Sequence, residues 1–176
     1  MSTKSVARRR RIGGASRTER GVTAGRALLA DGEDPTLGAR RLALALDDSY
    51  LPIQGPPGSG KTYTGAKIIL DLVRPAAGKP RVVGVTAFSH AAIGNLLREV
   101  VKHAGEGSDL RIIQKADDGD WCGLAEVERV DNKAAEARLA ADTVDIVAGT
   151  PWLWSRPGLD GAIDTLVVDE AGQISL

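Results

Sequence analysis

A chain of 176 residues is long enough to bury one hydrophobic core, and its 23 Lys plus Arg against 23 Asp plus Glu leave it formally neutral. The balance is uneven: residues 1–20 sum to +6, so the remaining residues sum to −6, and a mildly acidic body excludes a general polyanion-binding surface. One cysteine, Cys122, excludes a disulfide framework and a Cys-based zinc site and fits a reducing, cytoplasmic compartment, while no apolar run reaches the roughly 18 residues of a membrane span.

Residues 1–36 read as a basic, disordered tail: Gly, Ser and Arg dominate, apolar periodicity is absent, and Asp34-Pro35 is a turn signal. The run Arg8–Arg11 has two readings, a solvated leader or an arm that grips phosphate. From Leu37 onward the pattern is that of one domain, 37–176. Leu37–Leu46 has helical spacing. Tyr50–Gln54 is a short apolar segment, predicted as a buried strand. Lys61–Val73 is an amphipathic helix ended by Pro75 and Gly78, and Arg81–Ala87 is a second strand. Ser89 is placed to cap a helix over Ala91–Lys102 closed by Gly105; Leu110–Gln114 is a third strand; 119–130 is irregular. Asn132–Ala141 is a helix, Asp145–Ala148 a fourth strand, and Ile163–Val168 a fifth that runs into Asp169-Glu170. Strands alternating with helices at these lengths predict an α/β fold, a mostly parallel sheet with helices on both faces.

Two motifs carry chemistry. Gly55-Pro56-Pro57-Gly58-Ser59-Gly60-Lys61-Thr62 satisfies G-x-x-x-x-G-K-[ST] in full, between a predicted strand and a helix. Backbone N–H groups can wrap a polyphosphate only where no Cβ intervenes, which calls for glycine. The helix start adds its dipole, Lys61 can reach the β and γ phosphates, and the Thr62 hydroxyl can ligate Mg²⁺. Pro56 and Pro57 stiffen the loop before it binds. The second motif is an apolar strand ending in two acids. Parallel strands bring their carboxyl ends together, which would set Asp169 in the Mg²⁺ shell and Glu170 against the attacking water as general base. The pattern therefore predicts Mg·ATP binding and hydrolysis.

With these residues in view, a family resemblance emerges. Ile53 to Thr62 resembles motif I (the Walker A loop) of superfamily 1 helicases, nearest the branch of the nonsense-mediated-decay helicases, and Asp169-Glu170-Ala171-Gly172-Gln173 resembles that branch's motif II, its Walker B element. Val85 to His90 with Asn95-Leu96-Leu97 stands in the place of motif Ia, and Asp145 to Thr150 in that of motif Ib. The variant around Ser89-His90 also resembles bacterial proteins in which such a helicase follows a RecB-like nuclease domain. The resemblance implies a RecA-like P-loop NTPase fold, a role for Gln173 in sensing the γ-phosphate, and contacts from Ser89, His90 and Thr150 to single-stranded DNA or RNA. Residue types leave simpler readings open, Ser89 as a helix cap and Thr150 as part of a turn before Pro151.

The departures are specific. The family's Pro-Ser-Asn is here Phe88-Ser89-His90, where Phe88 could stack a base or sit in a core. The family's adenine-reading Gln has no counterpart between Met1 and Ile53, and the Trp152/Trp154 pair is read as packing. No motif after motif II is present, so the expectation is the first motor half of a helicase, with a second RecA-like domain and its arginines supplied elsewhere. The alternative is a nucleotide-binding fragment without turnover. A ring ATPase would match the phosphate loop but not motifs Ia, Ib and II.

Overall fold

The computed structural model describes residues 27–173. Residues 1–26, most of the segment read as tail, lie outside the described residues. The first helix, α1 (Pro35–Leu44), begins inside that segment: the Asp34 carboxylate accepts from Leu37 N at 3.0 Å, and Pro35 stands at the first helical position. What reads as a turn signal is a helix start. The Arg40 guanidinium holds Asp71 with two bonds of 2.6 and 2.9 Å, fastening α1 to α2 (Lys61–Val73).

Five short strands follow. They are β1 (Val83–Thr86), β2 (Ile112–Lys115), β3 (Val127–Val130), β4 (Ile146–Ala148) and β5 (Thr165–Val168), all parallel, in the order β3-β2-β4-β1-β5. Their crossovers carry the helices α3 (His90–Ala104), α4 (Asn132–Ala140) and α5 (Pro151–Trp154). Alternation along the strands separates two cores. Val83, Val85, Ile112 and Ile146 meet α1, α2 and α3 on one face. Ile113, Val130 and Val147 meet Ala135, Leu153 and Leu159 on the other. Both faces are thus covered, which is why every residue of β1 and β4 is buried. Gly84 lets the second layer close down: a Cβ there would stand 2.8 Å from the Trp154 ring and 2.6 Å from Ile163.

Two elements depart from expectation. Tyr50–Gln54 forms no strand. Pro52 has no N–H to give, and residues 50–54 make no backbone hydrogen bond among the described residues. They run instead along a cleft of about 960 Å³ whose other wall is β5, leaving β5 as an open edge with Leu166 and Val168 exposed. Conversely, Val127–Val130 inside the segment read as irregular is the outer strand β3, its central Glu128 and Arg129 exposed as an edge strand allows. The other expected helices and strands fall where periodicity puts them, within a few residues at their ends, while the single turn of helix α5 stands where a turn was expected. No helix among the described residues is long and apolar enough to cross a membrane.

Candidate functional site

The glycine-rich loop sits at the start of α2. Gly58 and Gly60 adopt φ of +76° and +79°, a backbone that side chains with a Cβ rarely enter. Gly55 is required for space, since a Cβ would lie 2.5 Å from Ser59 Oγ. Ser59 N closes the turn on Pro56 O at 3.2 Å. Gly60 occupies the cap position of α2 and offers no side chain, and no acidic residue stands in the first turn. The first helical bond runs from Thr64 N to Gly60 O at 2.9 Å, so the N–H groups of Lys61, Thr62 and Tyr63 have no partner within the helix. Three donors without a helical partner at the positive end of a thirteen-residue helix could hold an anion.

Lys61 makes a contact that spacing does not reveal. Its Nζ donates to Gly55 O at 2.8 Å and to Pro56 O at 2.9 Å, so the ammonium bridges the carbonyls of its own loop. Opposite stands the end of β5. Asp169 N donates to Thr86 O at 2.8 Å, the last rung to β1, and Asp169 Oδ1 accepts from Glu170 N at 2.9 Å. Glu170 takes φ +51°, left-handed for a residue that is not glycine, and Gln173 N returns to Glu170 O at 2.8 Å to close the following turn. Lys61, Thr62, Asp169 and Glu170 line one cleft of about 390 Å³ together with Gly58, Gly60 and Tyr63. Gln54, Gly55 and Gln173 belong to the larger cleft that continues from it along β5. The two sequence motifs, 108 residues apart from Lys61 to Asp169, therefore face each other.

The donor set suits one kind of cation. No group of three or more His, Cys, Asp or Glu side chains converges among the described residues. What the cleft offers is a hydroxyl (Thr62) and the carboxylates of Asp169 and Glu170, hard oxygens few in number. Mg²⁺ takes one or two such protein ligands and fills its octahedron with water and phosphate oxygens, so these residues fit it and not zinc. Two carboxylates against one ammonium also leave the cleft a net negative charge that a divalent cation offsets.

The residues expected to touch a nucleic acid lie on the same carboxyl edge of the sheet, at the ends of β1 and β4. Ser89 is engaged as a cap, its Oγ accepting from Ala92 N at 3.1 Å. His90 opens α3 with Nε2 4.0 Å from Asp120 and a buried Nδ1 that has no partner. Thr150 precedes α5 and its hydroxyl caps nothing. Of the tryptophan pair, Trp154 packs over Gly84 as expected, but Trp152 is 83% exposed, so the packing reading fails for it. Burial pushes the Asp145 pKa up, but the fork and N–H of Arg111 outweigh it and hold the carboxyl below its usual range. That pair ties the amino ends of β2 and β4 and is structural. No protein-family model matches the chain, and no match is found among curated proteins or solved structures.

Proposed function

We propose that this chain binds Mg·ATP in the cleft between the Gly55–Thr62 loop and Asp169-Glu170, and that it is the first RecA-like ATPase half of a superfamily 1 type helicase acting on single-stranded DNA or RNA. One observation carries the reading: a glycine loop at a free helix N-terminus and a strand-end acid pair, distant in sequence, line one cleft. The unclaimed N–H groups of α2 would hold the β and γ phosphates. Lys61, on releasing the Gly55 and Pro56 carbonyls, would turn to the γ phosphate. Thr62 and Asp169 would hold the magnesium ion, which when bound neutralises phosphate charge. Glu170 would take the proton from the attacking water, and Gln173, one turn on, would register the γ phosphate.

A second reading has its own support. Among the described residues, no arginine lines the 390 Å³ cleft. Arginine fingers contribute about 10³–10⁵ in rate, so the first reading expects slow hydrolysis by this chain, and the second is a nucleotide-binding fragment without turnover. The test is calorimetric titration of the purified chain with Mg·ATP, followed by phosphate release with and without single strands. Saturable heat that EDTA abolishes, with turnover removed by Glu170→Gln but binding retained, supports an ATPase. Heat without any turnover under every condition leaves a nucleotide-binding fragment. Absence of heat from folded protein overturns both.

A further inference from the structure

A nucleotide site distinguishes bases strongly where it holds polar side chains that the wrong base leaves unpaired. Among the described residues, the polar side chains that line the smaller cleft besides Tyr63 are Lys61, Thr62, Asp169 and Glu170, and phosphate, magnesium and water engage all four in the proposed mode. None is Asn or Gln, the side chains whose paired donor and acceptor match adenine. The two arginines near the place of the family's adenine-reading Gln are occupied. Arg40 gives its fork to Asp71 at 2.6 and 2.9 Å. Arg41 gives its fork to Glu33 at 2.9 and 2.8 Å, and a further bond to Leu28 O at 3.0 Å. What the cleft does offer is a ring. Tyr63 borders the smaller cleft alone, whereas Lys61 and Thr62 border both, and it is 43% exposed. The ring is held in place: His103 meets it at 5.1 Å with the planes 85° apart, and Lys67 Nζ lies 5.7 Å from its centre.

We propose that the chain accepts nucleoside triphosphates without distinguishing their bases, the base lying on the exposed part of the Tyr63 ring and the polyphosphate carrying most of the affinity. This rests on the nucleotide reading of the cleft and names its substrate class. A triphosphate whose γ end meets Asp169 and Glu170 has its nucleoside at the other end, past the last of the free N–H groups, which belongs to Tyr63. Stacking there asks only for a flat π face, which every base has, so selectivity falls to differences in stacking strength between purines and pyrimidines. The charged groups beside the ring add no pattern of their own. Lys67 has donors alone, and each base presents an oxygen or ring nitrogen that accepts. His103 faces Glu99 of its own helix at 3.3 Å.

The experiment is calorimetric titration of the full chain with Mg·ATP, Mg·GTP, Mg·UTP and Mg·tripolyphosphate. The three nucleotides should bind within about tenfold of one another, purines first, and tripolyphosphate at least about fivefold more weakly than ATP. Tyr63→Ala should weaken all three nucleotides about 5- to 100-fold and leave tripolyphosphate unchanged, which also shows that the glycine loop is intact. Tyr63→Phe, which keeps the ring, should bind as the parent does. A preference for ATP above about 20-fold over both GTP and UTP, tripolyphosphate bound as tightly as ATP, or parental nucleotide affinity in Tyr63→Ala overturns the proposal. Those three outcomes leave the phosphate site standing, because binding is still measured. Heat from none of the four ligands removes the site itself, and the proposal with it.

Discussion

Replacing Lys61 by alanine tests the candidate site most directly, because the structure lets its effects on binding and on folding be separated. In the described conformation Nζ gives two charge-assisted bonds to the carbonyls of Gly55 and Pro56. Those carbonyls are at an exposed loop, so after Lys61→Ala water can replace the ammonium. The cost to folding should stay below about 1 kcal/mol, as for hydrogen bonds that leave no buried group unsatisfied. Binding is different. The ammonium exchanges two neutral carbonyls for anionic phosphate oxygens, and hydrogen bonds to charged groups contribute about 1.5–3 kcal/mol each against about 1 for neutral ones. Two such exchanges give a loss of about 1–4 kcal/mol, or about 5- to 700-fold in affinity. Calorimetric titration with Mg·ATP measures the second quantity and urea unfolding the first. Lys61→Arg should not rescue, since a planar fork cannot occupy the space of a point charge against two carbonyls 2.8 and 2.9 Å away. A variant that folds and binds Mg·ATP as tightly as the parent would refute the assignment of this loop to phosphate.

Other consequences are independent of that one. Glu170 sits at φ +51°, so Glu170→Gly should raise stability by about 1 kcal/mol in urea unfolding while hydrolysis is lost and Mg·ATP binding remains; a fall in midpoint would show that the backbone is not strained there. Gly84→Ala should destabilise by about 1–3 kcal/mol, because the new methyl meets Ile163, Trp154 and Leu166 within 2.9 Å, and unchanged stability would mean that the second layer gives way freely. Hydrogen bonds from Arg41 and from Ala30 N hold the Glu33 carboxyl at about 2 against its usual 4.5. A depressed carboxylate stabilises the fold above its unfolded pKa, so this contribution should be complete above about pH 5 and disappear as pH falls from 4.5 towards 2. Melting temperatures of the parent and Glu33→Gln should therefore converge in acid; a constant difference down to pH 2 would discount the pair.

What could be read in the sequence divides along a physical line. Positions whose residue type answers a backbone demand were legible. Gly58 and Gly60 take positive φ, Gly55 lacks room for a Cβ, and Ser89 caps α3, each a local requirement visible from spacing alone. Periodicity also found the buried strands β1 and β4 and the open-edge strand β5. Strand status at 50–54 was not legible in the same way, since a strand is defined by its partner and none pairs with this segment. β3 was hidden because its two central residues are charged, as an outer strand permits. Asp34-Pro35 is ambiguous in sequence, since an Asp before a proline serves equally as a turn and as an N-cap with proline at the first helical position, the role it has here. The exposure of Trp152 and the left-handed Glu170 depend on how α5 and the β5 terminus settle against neighbours, and no residue pattern encodes that.

The unpaired segment before the loop raises the question of what holds the glycine loop in place, since a ladder does not. The answer lies behind it. α2 is fixed by Ala66, Ile69 and Leu72 in the first core, by close approach of Gly65 to Leu96 of α3, and by the Arg40–Asp71 fork from α1. A helix so held fixes the direction of its own first turn, and with it the three free N–H groups. On the opposite side, Asp169 is placed by the ladder from β5 to β1, ending in the bond to Thr86 O. The two halves of the cleft are therefore positioned by different means, one by helix packing and one by sheet register. Their separation is set by how α2 sits on β1, through side chains of the shared core, so mutations in that layer can open or close the site without touching a residue that lines it.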